Sequence, residues 1–215
     1  MDPAIAGLLQ SALVSYRHEL MTGNLAGVPV LQQHGSDDNN VPAYHSRRMN
    51  QLTSESGHPS KYIELANKGH WFEGIMETGS LRRFYTDGLN ASRSKVDLPL
   101  QFTFVVPNSG DMGSRGGIMV DQLSSPDQLG RIDVVRNENS STWVIKTSNI
   151  HRFHFTWKEW NGIRPVFIVV DSCPIFTVHD AARRLTQWFI RAPDGLWAVS
   201  DLPAVNMKLT RLGNG

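Results

Sequence analysis

The stretch Val28-Pro29-Val30-Leu31-Gln32-Gln33-His34-Gly35-Ser36-Asp37-Asp38-Asn39-Asn40-Val41-Pro42 decides how the first part of the chain reads. It opens as a short apolar strand, Val28 to Gln33, and closes in a polar turn cluster, His34 to Asn40. Pro42 then starts a helix running to about Glu55, with Met49 and Leu52 inward, which Gly57-His58-Pro59 breaks. A second strand, Lys61 to Ala66, leads into the turn Lys68-Gly69-His70-Trp71-Phe72. A further helix is expected near Thr78 to Thr86. Upstream, Asp2 can cap a helix and Pro3 suits its first turn. Ile5, Leu8, Leu9, Ala12, Leu13, Tyr16 and Leu20 fall on one apolar stripe of that helix, the pattern of a core element. Helix, strand, helix, strand, helix implies parallel strands joined by helical crossovers.

The texture changes after about Ser94, with residues 87 to 97 as the expected linker. Leu100 to Val106, Gly117 to Val120, Ile132 to Val135, Trp143 to Thr147, His151 to Trp157, Val166 to Val170 and Trp188 to Arg191 read as strands separated by turns. Their spacing suggests a mostly antiparallel β-rich module over residues 98 to 215. Trp143, Trp157, Trp160, Trp188 and Trp197 suit a sandwich core; exposed in a row, they would suit stacking on sugars or partner proteins.

Functional groups gather where strands end in sheets of the first kind. Asp37 and Asp38 follow the first strand and His70 follows the second, so the crossover brings both to one edge. An Asp there can hold an imidazole in one tautomer, and the imidazole can take a proton from a hydroxyl nucleophile.

At these residues the sequence resembles a known family. His34-Gly35-Ser36-Asp37-Asp38-Asn39-Asn40-Val41-Pro42 fits HGxxDxxVP, and Lys68-Gly69-His70-Trp71-Phe72 fits the glycine-histidine turn that follows it further along the chain. Together they resemble the end of the catalytic domain of prolyl oligopeptidases, serine peptidases with the α/β-hydrolase fold. The resemblance implies an α/β fold class. Residues 1 to 88 would form the C-terminal part of an α/β-hydrolase parallel sheet, ahead of the β-rich module. It also implies peptide-bond hydrolysis by a Ser-Asp-His triad with Asp38 as acid and His70 as base, and leaves Asp37 as a turn-former. His34 reads as structural, beside a glycine that the turn needs.

The nucleophile elbow G-x-S-x-G is absent from the sequence. Gly113-Ser114-Arg115-Gly116-Gly117 lacks the spacing and reads as a turn. The serine is therefore expected upstream, in a longer protein, and this chain alone is expected to be inactive. An esterase-type acyl hydrolase, or a non-catalytic β-rich binding module on a hydrolase relic, are the competing readings.

Composition bounds the rest. Hydrophobic residues make up 40% and the formal net charge is +1, which supports a core and argues against a nucleic-acid partner. No segment reaches the length of a membrane span. The single cysteine, Cys173, can form no internal disulfide. The eight histidines show no ligand spacing, and His151 and His154 read as structural, so neither metal nor cofactor is expected. The expected partner is a peptide or small acyl substrate. Two sequons, at Asn90 and Asn139, matter only in a secreted protein.

Overall fold

Val30–Gly35 (β1) and Ser60–Leu65 (β2) lie side by side in parallel, from Val30 against Ser60 to Gly35 against Leu65. The computed structural model describes residues 2–14, 16–58, 60–91, 98–110, 112–126, 128–156, 165–176 and 186–200. A parallel pair needs a crossover, and here it is the helix Tyr44–Glu55. Gly57, at φ 78°, ends the turn after it in the left-handed region that glycine enters without strain. A fork from Arg47 to both oxygens of Glu64 holds this helix to β2, helped by the Tyr62 hydroxyl. The Arg47 and Tyr62 hydrogen bonds outweigh partial burial and hold the Glu64 carboxyl down at about 2. A last helix, Gly79–Ala91, starts on Thr78, whose Oγ1 accepts the Leu81 N–H.

The chain divides into two compact units, residues 18–99 and residues 1–17 with 100–215. The elements above fill the first, preceded by a 3-10 helix, His18–Leu25.

Among the described residues the second unit holds the helix Pro3–Val14 (α1) and nine strands. Gln101–Val106 (β3), Gly130–Asn137 (β5), Thr142–Ser148 (β6), Phe167–Val170 (β8) and Cys173–Phe176 (β9) form one sheet in the order β3-β5-β6-β8-β9. Ile118–Leu123 (β4), Ile150–Thr156 (β7), Thr186–Arg191 (β10) and Trp197–Ser200 (β11) form the other, in the order β11-β10-β7-β4. All pairs are antiparallel except β6 with β8. Phe153, Phe155 and Phe189 are fully buried, and Trp143 from the first sheet meets Phe155 from the second edge-on at 5.5 Å. Phe153 and Phe189 stack at 4.9 Å. Trp143 and Trp197 are core residues and Trp188 is half-buried, so these three form no exposed row. Trp157 and Trp160, and residues 92 to 97 of the expected linker, lie outside the described residues.

These observations correct the expected fold class. The chain is 39% strand against 24% helix, with mixed and antiparallel sheets. It is not the C-terminal part of an α/β-hydrolase parallel sheet: the βαβ pattern of residues 28–66 closes on itself as a two-stranded pair. The α1 stripe is also corrected. The helix forms, but Ile5, Leu9, Leu13 and Tyr16 are exposed.

Asp171 ties the two sheets together from the β8–β9 turn, where its own φ is 47°. One oxygen accepts the Thr147 N–H; the other accepts the Thr147 hydroxyl, Arg191 Nη2 at 2.6 Å and Trp197 Nε1 at 2.8 Å. Arg191 also lies over the Trp197 ring. Asp171→Asn keeps the shape and removes the charge facing Arg191. Both partners are partly solvated, so we expect a loss of roughly 1–3 kcal/mol. Urea unfolding followed by tryptophan fluorescence checks this, and an unchanged midpoint would remove Asp171 from that role.

Candidate functional site

The chemistry of the first unit rests on two turns leaving the same end of a parallel pair. Gly35 closes β1 and sits against the turn after β2. A Cβ there would lie 2.6 Å from the Gly69 carbonyl oxygen and closer still to that of Lys68. Both are backbone atoms, so only glycine fits. Cross-links stitch the turns at that point. Ser36 N–H donates to Leu65 O, Asp37 N–H donates to Lys68 O, and Asn67 N–H donates to Ser36 Oγ, all at 2.9 Å. The segment after His70 is held too: Gln33 Nε2 donates to Ile75 O, and Thr78 Oγ1 donates to Gln33 Oε1.

This frame brings Asp38 and His70 together. His70 Nδ1–H donates to Asp38 Oδ2 at 2.8 Å. The other oxygen, Oδ1, accepts the backbone N–H groups of Asn40 and Val41, each at 2.9 Å. Asp38 is only 4% exposed whereas His70 is 34% exposed, so the carboxylate is enclosed and the imidazole reaches the surface. Burial pushes the Asp38 carboxyl up. The Val41 N–H, the His70 imidazole and the Asn40 N–H outweigh it, and the carboxyl lies at about 2. With Nδ1 committed to the carboxylate, Nε2 of His70 carries the lone pair of the neutral ring. It has no hydrogen-bond partner among the described residues. The exposed Trp71 stands edge-on to the His70 ring at 5.2 Å.

Asp37 is exposed and points elsewhere: its Oδ1 accepts the Ser36 hydroxyl at 2.7 Å. His34 does more than the sequence reading assigned to it. Its Nε2 lies 2.8 Å from Val41 O and 3.1 Å from Asp38 Oδ2. Both are acceptors, so Nε2 carries a hydrogen, and Nδ1 of the neutral ring accepts from Ser46 Oγ at 2.8 Å. Asp38 Oδ2 is thus shared by two imidazoles. The signal for His34 was its place in the turn motif; Ser46 carried none, because it reaches the site only once its helix packs beside β1. Among the described residues no group of three or more His, Cys, Asp or Glu is arranged to hold a metal ion. In the second unit His154 bonds to Asp121 at 2.9 Å.

The chain is similar to an uncharacterized secreted protein of Arthroderma benhamiae, 40% identical over 197 residues. The match covers 91% of this chain and 21% of that protein, so the chain spans about a fifth of the length of the curated relative it matches. No family model matches the chain, and neither does any solved structure.

Gly35→Ala should force the Lys68–Gly69 backbone away and break the Asp38–His70 bond without touching either side chain. The imidazole 15N shifts of His70 report this: Nδ1 bonded to the carboxylate in the parent chain, and that bond lost in the variant. Unchanged shifts would refute the packing argument. A second expectation concerns acid. A carboxyl lowered to about 2 in the folded chain lends stability that is complete above the ordinary aspartate range near 4. That stability is lost as pH falls through 2. The Asp38 side-chain 13C titration should have its midpoint near 2, and a midpoint near 4 would contradict the hydrogen-bond assignment.

Proposed function

We propose that residues 18–99 supply the acid and the base of a serine-type hydrolase, resembling prolyl oligopeptidases, whose nucleophilic serine lies outside this chain. One observation carries the reading: a half-exposed imidazole held through Nδ1 by an enclosed, fully hydrogen-bonded carboxylate, with Nε2 left unengaged. A proton acceptor must be oriented, kept in one tautomer and open on its reactive side, and His70 meets all three demands. Asp38 is the orienting residue, fixed from the far side by Asn40, Val41 and His34.

In the reaction, His70 Nε2 takes the proton of the serine hydroxyl as the oxygen attacks the substrate carbonyl. The imidazolium formed faces the ionised Asp38, which stabilises it and does not itself take the proton. His70 then returns the proton to the leaving amine, and water cleaves the acyl-enzyme by the same steps. No G-x-S-x-G occurs in the sequence, and so the reading applies to a longer protein that carries this segment. The relative of which the chain spans a fifth is secreted, which suits hydrolysis of extracellular peptides.

The test uses such a longer protein, with a fluorophosphonate probe and a peptide amide substrate. His70→Ala should abolish probe labelling and lower kcat by on the order of 10⁴-fold. Asp38→Asn should lower it comparably, while Asp37→Asn leaves it within a factor of about two, as ordinary surface changes do. Undiminished labelling in a folded His70→Ala protein would end this reading.

A further inference from the structure

The second unit holds a charge that nothing among the described residues answers. Arg152 on β7 is 6% exposed. Among the described residues its guanidinium makes no hydrogen bond or ion pair, and Nε and Nη2 are both closed to solvent and unpartnered. A buried guanidinium without an acceptor is among the least favourable groups a fold can hold. The neighbouring strand adds a second such group. Gln122 of β4, in register with Arg152, has its Oε1 buried and unpartnered as well.

Both lie at an irregularity of the backbone. The β4–β7 ladder slips between Val120 and Gln122 and again between Gln122 and Leu123, so that Val120 faces Phe153 and Leu123 faces Ile150. All four of these apolar residues are buried. Between them, Asp121 on one strand and His151 on the other fall out of register, and Arg152 and Gln122 are brought opposite each other. Bulges of this kind re-aim side chains and recur beside functional sites. The carboxylate that could have neutralised Arg152 is already engaged. Asp121 sets both oxygens 2.9 Å from His154 Nδ1, and each of these side chains is 13% exposed. Arg191 makes the contrast: its Nη2 lies 2.6 Å from Asp171 in the same unit.

We propose that Arg152 and Gln122 form a binding site for a small organic carboxylate bearing a neighbouring hydroxyl. The Nε–Nη2 edge of a guanidinium presents two parallel N–H donors at the spacing of carboxylate oxygens. Those are the two nitrogens left open on Arg152. Gln122 Oε1 then accepts the ligand's hydroxyl. All three atoms are closed to solvent, so the ligand enters by displacing neighbouring side chains. The half-buried Trp188 pairs with His154 on the adjacent strand, its ring 5.9 Å from the imidazole.

The probe is sodium glycolate on the whole chain, with sodium acetate and sodium chloride at matched ionic strength. Glycolate should raise Tm in a saturable way and give a calorimetric isotherm, acetate should bind about tenfold more weakly, and chloride should do neither. Arg152→Met should raise Tm in chloride, because it replaces an unanswered buried charge by an apolar side chain of similar length, and should abolish the glycolate response. Gln122→Leu should reduce glycolate binding to the level of acetate. An Arg152→Met chain that melts lower than the parent in chloride, or that fails to fold, overturns the proposal. So does a parent chain whose Tm moves equally in glycolate and chloride.

Discussion

The geometry of the first unit depends on the close approach of two backbones at Gly35. β1 and β2 run parallel, so their turns leave at the same edge, but adjacency alone would place Asp38 and His70 only near each other. Contact needs the first turn to fold down onto Lys68 and Gly69, which a side chain at Gly35 would block. Once the approach is made, the Ser36, Asp37 and Asn67 hydrogen bonds lock it, and the His70 ring arrives with Nδ1 against Asp38 Oδ2. The backbone fixes the pair, and the side chains then refine it.

Asp38 illustrates how a fold holds a charge out of water. Four donors converge on its two oxygens: the Asn40 and Val41 N–H groups on Oδ1, and the His70 and His34 rings on Oδ2. Hydrogen bonds to the ionised form outweigh desolvation and keep the carboxyl low. The same donors restrict its rotation, so a low pKa and a fixed orientation have one cause. His34 adds a further link, since its other nitrogen is tied to Ser46 on the crossover helix. The carboxylate is thereby referred to the strand, the turn and the helix together.

Much of the local structure was legible because it follows from short-range rules, and the failures lie where a long-range fact was needed. The motif spacing of the family the sequence resembles picked Asp38 over Asp37 as the residue facing His70, and the geometry has Asp37 turned to Ser36. Periodicity placed α1, yet it reports only which residues share a face; whether another surface lies against that face is a tertiary fact, and Ile5, Leu9 and Leu13 are exposed. The fold class failed for the same reason. A βαβ pattern implies a parallel pair, but the number of strands joining that pair is not written in the pattern, and here there are two. β9 escaped because Pro174 argues against a strand; it is tolerated since β9 lies at the end of its sheet. β11, four residues long, lies at an end of the other sheet and was also missed.

Asp38, Asp171 and Arg152 differ in a way that bears on function. Asp38 and Asp171 are carboxylates whose oxygens are filled by donors from several elements, and each organises its unit. Arg152 is more buried than Arg191 and has none of its company. A fold that needed Arg152 only as packing would be served as well by an aliphatic side chain, without the desolvation of a charge. Its guanidinium therefore adds nothing to the folded chain taken alone; its contribution appears only with an anion to meet it. The slipped β4–β7 ladder falls at the same position. Local disorder of register and an unanswered charge fall at one point of one sheet. A binding site for an acidic ligand accounts for both.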